Sequence, residues 1–170
     1  MRGKSYPIRK SFLADLSKFE GEIIKFVDKK SEEEVPERIV KLLVDFINEE
    51  SCDANSALDL VGLNILASNL GAKSAMENSL QELKKFEFDY RMSVDELTKI
   101  CGAITMSGKV DRGLEIWLKK FIQDTEALRL LERSQSFRAL LYNHPEVEAR
   151  LEKIMGWREE EGNSLGLMIM

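Results

Sequence analysis

Apolar residues recur every three or four positions along most of the chain, the spacing that places them on one face of an α-helix. In the first half this pattern predicts helices at about 7–29, 34–49, 57–70 and 72–86. The third of these is apolar around most of its circumference, which predicts a central helix covered by its neighbours. Residues 86–90 alternate apolar and polar side chains, but no second run exists to pair with them, so we assign them to a loop.

Polar and glycine residues mark where some of these helices begin and end. Ser93 followed by Glu96 fits a capping box, in which a hydroxyl and a carboxylate satisfy each other's free amide donors. We expect Ser51 or Asp53 to cap the central helix. Gly71 is expected to end that helix, because glycine adopts the left-handed conformation without strain.

The helical pattern continues through the second half. A loop is expected at 102–108, followed by the longest predicted helix, at about 109–133. Apolar residues within 137–142 continue that helix or form a short helix of their own. Pro145 suits the first turn of a last helix, which is expected to end near Gly156.

These elements predict an all-α fold, a compact orthogonal or bundle-like array of seven or eight helices. The chain has 170 residues, of which 44% are hydrophobic and 32% charged, as expected of one helical domain at 1–157 with a tail at 158–170. No run approaches the ~18 apolar residues of a membrane span, and no secretory signal is present. We therefore expect a cytoplasmic protein without a membrane contact. Scarce glutamine beside plentiful lysine and glutamate leans toward a thermophilic source.

The residues that carry most enzymatic chemistry are sparse. His144 is the single histidine, so a di-iron bundle with two Glu-x-x-His motifs is excluded. Cys52 and Cys101 form no Cys-x-x-Cys pair, which argues against a zinc site and favours two buried free thiols. We expect no cofactor, and the composition favours a non-enzymatic protein without settling the question.

Two acidic pairs suggest one enzymatic alternative. Glu34 and Glu37 are followed, after twelve residues, by Glu50 and Asp53. This pattern resembles the magnesium-binding acids of the all-helical nucleotide pyrophosphohydrolases, and the resemblance implies a magnesium-dependent enzyme acting on nucleotides. However, the two pairs flank one predicted helix and are separated by on the order of 20 Å, whereas magnesium ligands surround a single ion.

A second alternative is a small nucleic-acid-associated subunit or regulator. Residues 93–118 have the outline of a helix-turn-helix, with Lys109 and Arg112 at the start of the second helix. Against this, Asp111 and Glu115 lie in the same turn and would repel phosphates, and the net charge of the chain is -5. The candidate nucleic-acid-binding residues are Arg2, Lys4, Arg9, Lys10, Lys109, Arg112, Lys119 and Lys120.

The end of the chain supports the leading hypothesis, a non-enzymatic protein-interaction or assembly module. Residues 158–164 are polar, and the last six residues are mostly apolar. Apolar side chains left in water promote association, so this segment either plugs its own core or docks on another chain. Residues 20–50 carry an excess of acids that suits a basic partner. The candidate partner-binding residues are Leu165, Leu167, Met168, Ile169 and Met170.

Overall fold

The fold is all-α, as predicted, in the part of the chain that the computed structural model describes, residues 36–48, 54–85, 92–124 and 127–156. The helix predicted at 7–29 lies outside these ranges. None of the described helices is long and apolar enough to span a bilayer. The eight helices in these ranges are α1 (Glu37–Ile47), α2 (Ala57–Leu70), α3 (Lys73–Lys84), α4 (Val94–Met106), α5 (Arg112–Asp124), α6 (Ala127–Arg133), α7 (Gln135–Asn143) and α8 (Pro145–Met155).

Helix α2 packs against α1, α3 and α4, which confirms the prediction that its neighbours cover it. Leu60 and Val61 on one side of α2 belong to a large apolar cluster with α3 to α8, which we call the main core. Leu63 and Leu66 on another side belong to a second cluster with α1 and α3, which we call the α1 core. Because both clusters draw on α2, three of its polar side chains, Asp59, Asn64 and Ser68, are buried as well.

The cap of α2 differs from the one that we predicted. Ser56 precedes the helix in an extended conformation, and its hydroxyl accepts a hydrogen bond from the amide of Asp59 at 3.2 Å. A capping side chain reaches amides only two or three positions ahead. Ser51 and Asp53, which lie outside the described residues, are therefore too far upstream for this role. The other end is as predicted, with Gly71 left-handed at φ 74°.

The loop predicted at 102–108 is largely helical. Helix α4 continues to Met106, because Ile104 is fully buried in the main core and Thr105 donates its hydroxyl proton to the carbonyl of Cys101 at 2.6 Å. Gly102, which we took for a turn, faces Leu140 of α7 inside this helix. The connection to α5 is therefore only residues 107–111.

The helix predicted at 109–133 corresponds to α5 and α6, which the structure describes on either side of residues 125 and 126. α5 packs against α3, α8 and, less extensively, α4, whereas α6 packs against α4 and α7. α7 is then a short helix of its own, capped by Ser134, and α8 begins at Pro145 and ends at Gly156 with φ 75°, as predicted.

Candidate functional site

Helix α5 is anchored at its start and along its inner face. The Asp111 carboxylate accepts a hydrogen bond from the amide of Gly113 at 2.9 Å, and its carbonyl accepts one from Leu114 at 3.0 Å. Trp117 is buried and donates its indole N–H to the carbonyl of Leu83 on α3 at 3.2 Å. The buried positions fix which side of α5 faces the main core, and therefore which side faces away.

The opposite side of α5 combines cations with one large apolar side chain. Ile116 is 58% exposed, and Arg112 and Lys120, four positions before and after it, are exposed as well. Lys119 is half-buried, and its Nζ lies 3.4 Å from the position that a Cβ of Gly156 would occupy. We call the side chains of Arg112, Ile116, Lys119 and Lys120 the α5 outer face.

The two acids that counted against phosphate binding at this helix are both engaged. Asp111 caps α5, as described above. Glu115 forms an ion pair with Arg150 of α8 at 3.4 Å, and the same guanidinium donates a hydrogen bond to the carbonyl of Ser107 at 2.8 Å. Arg150 thus ties the α4–α5 connection to α8. Its role could not be found from the sequence, because it depends on two helices meeting.

Other exposed apolar residues are spread over three more helices. Met106 ends α4 and is 43% exposed, Leu130 of α6 is 54% exposed, and Tyr142 of α7 is 76% exposed. Single apolar side chains on a surface are common. Ile116 differs from them because cations lie one turn away from it in both directions along its helix, which gives the α5 outer face a definite chemical character. The sequence holds this signal, since Ile116 falls outside the buried stripe of α5.

The structure places only some of the candidate binding residues. Lys109 is exposed in the connection before α5, and Lys119 and Lys120 lie one turn beyond Ile116. Helix α4 packs chiefly on α2, α8 and α7, and has little contact with α5. The candidate residues outside the described part of the chain are Arg2, Lys4, Arg9, Lys10, Leu165, Leu167, Met168, Ile169 and Met170.

The acids of the magnesium alternative are mostly outside the described ranges as well. Glu37 is exposed at the first residue of α1, an 11-residue helix that is ~16 Å long. Glu34, Glu50 and Asp53 are not among the described residues. Within the described ranges, no three side chains of histidine, cysteine, aspartate or glutamate gather in a way that could hold a metal ion.

Cys101 is a free, buried thiol, as predicted for it; Cys52 lies outside the described residues. Burial among apolar neighbours raises the pKa of Cys101 from 9.0 to about 12. The thiolate is the nucleophilic and metal-binding form of cysteine, so this thiol is unreactive at neutral pH.

Three further polar contacts join neighbouring helices. Arg38 of α1 pairs with the buried Asp59 of α2 at 2.7 Å. Ser93 caps α4 as predicted, accepting a hydrogen bond from the amide of Glu96 at 3.0 Å, and the Glu96 carboxylate accepts one from the amide of Leu58 at 3.2 Å. Asn64 donates to the hydroxyl of Ser79 on α3 at 3.0 Å. All three contacts depend on which helices pack together, and the order of residues in the sequence does not show that.

Comparison of the chain with protein-family models, with curated proteins and with solved structures finds no match.

Proposed function

We propose that this chain is a helical interaction module that binds a protein partner or a second copy of itself. The observation that supports this best is Ile116, an isoleucine more than half exposed between cations on a helix whose other side is firmly anchored. Fully covering an exposed isoleucine gains about 1.5–3 kcal/mol, and Ile116, which is 58% exposed, can contribute roughly half of that. A preformed helix lowers the cost of binding, because its backbone does not have to be ordered on docking.

The chemistry of the α5 outer face indicates the kind of partner. Arg112 and Lys119 favour carboxylates, and Ile116 favours an apolar side chain. A partner segment that carries acids beside apolar residues satisfies both demands. The last six residues of the chain are a second apolar surface in this proposal, and they are suited to a hydrophobic groove.

The test compares the full chain with three substituted forms. Ile116→Ser removes the apolar centre of the α5 outer face, Leu167→Ser with Ile169→Ser alters the tail, and Leu130→Ser is the matched control on α6. Light scattering gives the mass in solution, and affinity capture with mass spectrometry identifies bound proteins. We expect the first two forms to lose a dimer or a partner that the control retains. A strict monomer without a partner sensitive to either surface contradicts the proposal.

A second candidate function is nucleic-acid binding through Lys109 and the α5 outer face. The specific observation in its favour is that Asp111 and Glu115 are held by the helix start and by Arg150. The charge of Glu115 is therefore offset by Arg150, and the Asp111 carboxylate is bonded to the start of its own helix. Lys109 and Arg112 remain exposed beside them.

Salt dependence tests this second candidate. Fluorescence anisotropy with a labelled duplex, a labelled single strand and the full chain gives the affinity between about 50 and 200 mM salt. Arg112→Gln is expected to reduce the salt slope by about 1 if Arg112 contacts a phosphate. Lys153→Gln, an exposed base on α8, is the control. Binding that does not respond to salt rules out phosphate neutralisation.

A further inference from the structure

The described part of the chain ends beside the α5 outer face. Helix α8 terminates at Gly156, whose positive φ turns the backbone away from the helix axis. Lys119 lies next to this glycine, with its Nζ 3.4 Å from where a Cβ would sit. Residues 157–170 therefore start within a few ångströms of a cation on α5.

Residues 158–170 have the chemistry that the α5 outer face favours. Glu159, Glu160 and Glu161 follow Arg158, so the first four residues of this segment carry three carboxylates against one guanidinium. The apolar residues follow from Leu165 onward. Acids therefore come first, close to Lys119, and apolar side chains come later.

The face presents its groups within reach and in a compatible order. Ile116 lies about one helical turn, ~5 Å, from Lys119, and Arg112 lies one turn further. The nine residues from Gly156 to Leu165 span ~30 Å when extended and ~14 Å when helical. Both lengths exceed the ~5 Å between Lys119 and Ile116, so the segment is long enough for its apolar residues to reach Ile116 when it turns back along α5.

We propose that the α5 outer face is the docking surface for residues 158–170 of the same molecule. The carboxylates of Glu159–Glu161 lie against Lys119, and the apolar residues from Leu165 onward cover Ile116. This inference deepens the proposed function, because each surface then covers the other until a partner displaces the tail. Attachment through Gly156 makes the tail a local ligand of high effective concentration, which favours docking within one molecule.

Nuclear magnetic resonance of the full chain tests the docking. Ile116→Ser is compared with Leu130→Ser, the exposed leucine on α6 used above as a control. We expect Ile116→Ser to move the amide resonances of residues 165–170 toward random-coil positions, whereas Leu130→Ser leaves them unchanged. Lys119→Gln is expected to move the resonances of Glu159–Glu161 in the same direction, and ~1 M salt to reproduce part of that change.

Several results overturn the proposal. Tail resonances at random-coil positions in the unsubstituted chain show that it does not dock. Equal responses to Ile116→Ser and Leu130→Ser show that α5 is not its surface. Tail shifts that grow with protein concentration assign the tail to a second copy. Unchanged resonances of α1 to α4 confirm that each variant is folded.

The outcome is separable from that of the proposed function. A docked tail in a chain that captures no partner and forms no dimer removes the proposed function and leaves the docking in place. If a partner binds the chain but the tail is undocked when no partner is present, the proposed function stands and the docking is wrong.

Discussion

Asp59 is a charged side chain inside the first turn of α2, and its surroundings explain how the charge is tolerated. It is 7% exposed, accepts a hydrogen bond from the amide of Asn55 at 3.2 Å, and pairs with Arg38 of α1 at 2.7 Å. The free amides at the start of a helix also favour a negative charge. The same carboxylate therefore stabilises the start of α2 and the contact between α1 and α2.

Replacing Asp59 with alanine should destabilise the protein more than removing its partner. We expect Asp59→Ala to lower the free energy of unfolding by about 1–3 kcal/mol, because it removes a charged acceptor from the amide of Asn55 and the guanidinium of Arg38. Arg38→Ala should cost less, since half of the Arg38 side chain is exposed and exposed pairs contribute about 0–1 kcal/mol. Urea denaturation of both variants measures the difference. A larger effect at Arg38 would show that the ion pair outweighs the backbone contact.

Cys101 should resist alkylation while the protein is folded. Burial raises its pKa to about 12, so the thiolate is scarce at pH 8 and the sulfur is also inaccessible. We expect iodoacetamide to modify Cys101 only at the rate at which the protein opens, and rapidly in denaturant. Peptide mapping by mass spectrometry separates Cys101 from Cys52. Modification of the native protein at the rate of a free thiol would contradict the burial.

The sign of the linked pH effect follows from the same raised pKa. Unfolding returns the pKa of Cys101 to about 9.0, so the unfolded chain releases a proton that the folded chain holds. The folded state keeps its full stability with respect to this thiol below pH 9. The free energy of unfolding then falls as the pH rises from about 9 to 12. Cys101→Ala should reduce the loss of stability in that window.

At the scale of the helix, the start of α5 determines how well its outer face is presented. Asp111→Ala should remove the side-chain acceptor for the amide of Gly113 and cost about 1 kcal/mol of stability. Asp111→Asn keeps an oxygen in the same place and should stay close to the unsubstituted protein. Hydrogen exchange of the first turn of α5, measured by nuclear magnetic resonance, reports the change directly. Equal stability of the two variants would show that the backbone alone holds this turn.

Several helix positions followed from local signals in the sequence, although the cap of α2 at Ser56 and the end of α4 at Met106 did not. The central helix, its end at Gly71, the cap at Ser93 and the last helix from Pro145 to Gly156 all depend on residues within one turn of the feature. Local chemistry of this kind is the same in the folded and unfolded chain. It can therefore be predicted before any neighbour is known.

Features set by tertiary neighbours were not predicted. α5 and α6 share one apolar period, which does not show that α5 packs against α3 and α8 and that α6 packs against α7. Glu96 fits a capping box by spacing, but α2 supplies a better partner in the amide of Leu58. The candidate surface shows the same division. The sequence singled out Lys109 and Arg112, whereas the contact of Arg150 with Glu115 required the folded chain.

At the scale of the whole molecule, α2 joins two apolar clusters of unequal size. The main core draws on seven helices, and the α1 core draws on three. A cluster with fewer buried contacts opens at lower free energy than a larger one. Helix α1 is therefore expected to exchange its amide protons before α4 does.

Matched core substitutions test this division. Leu43 of the α1 core and Leu118 of the main core are both fully buried. Replacing either leucine with alanine should therefore destabilise its own cluster by about 2–5 kcal/mol. We expect Leu43→Ala to accelerate amide exchange in α1 by far more than in α4, because it lowers the cost of detaching α1. Leu118→Ala should accelerate exchange in α4, α5 and α8 together, since they share one core. Native-state hydrogen exchange by nuclear magnetic resonance resolves the helices individually. Uniform acceleration by both substitutions would mean that α2 couples the two clusters into one cooperative unit.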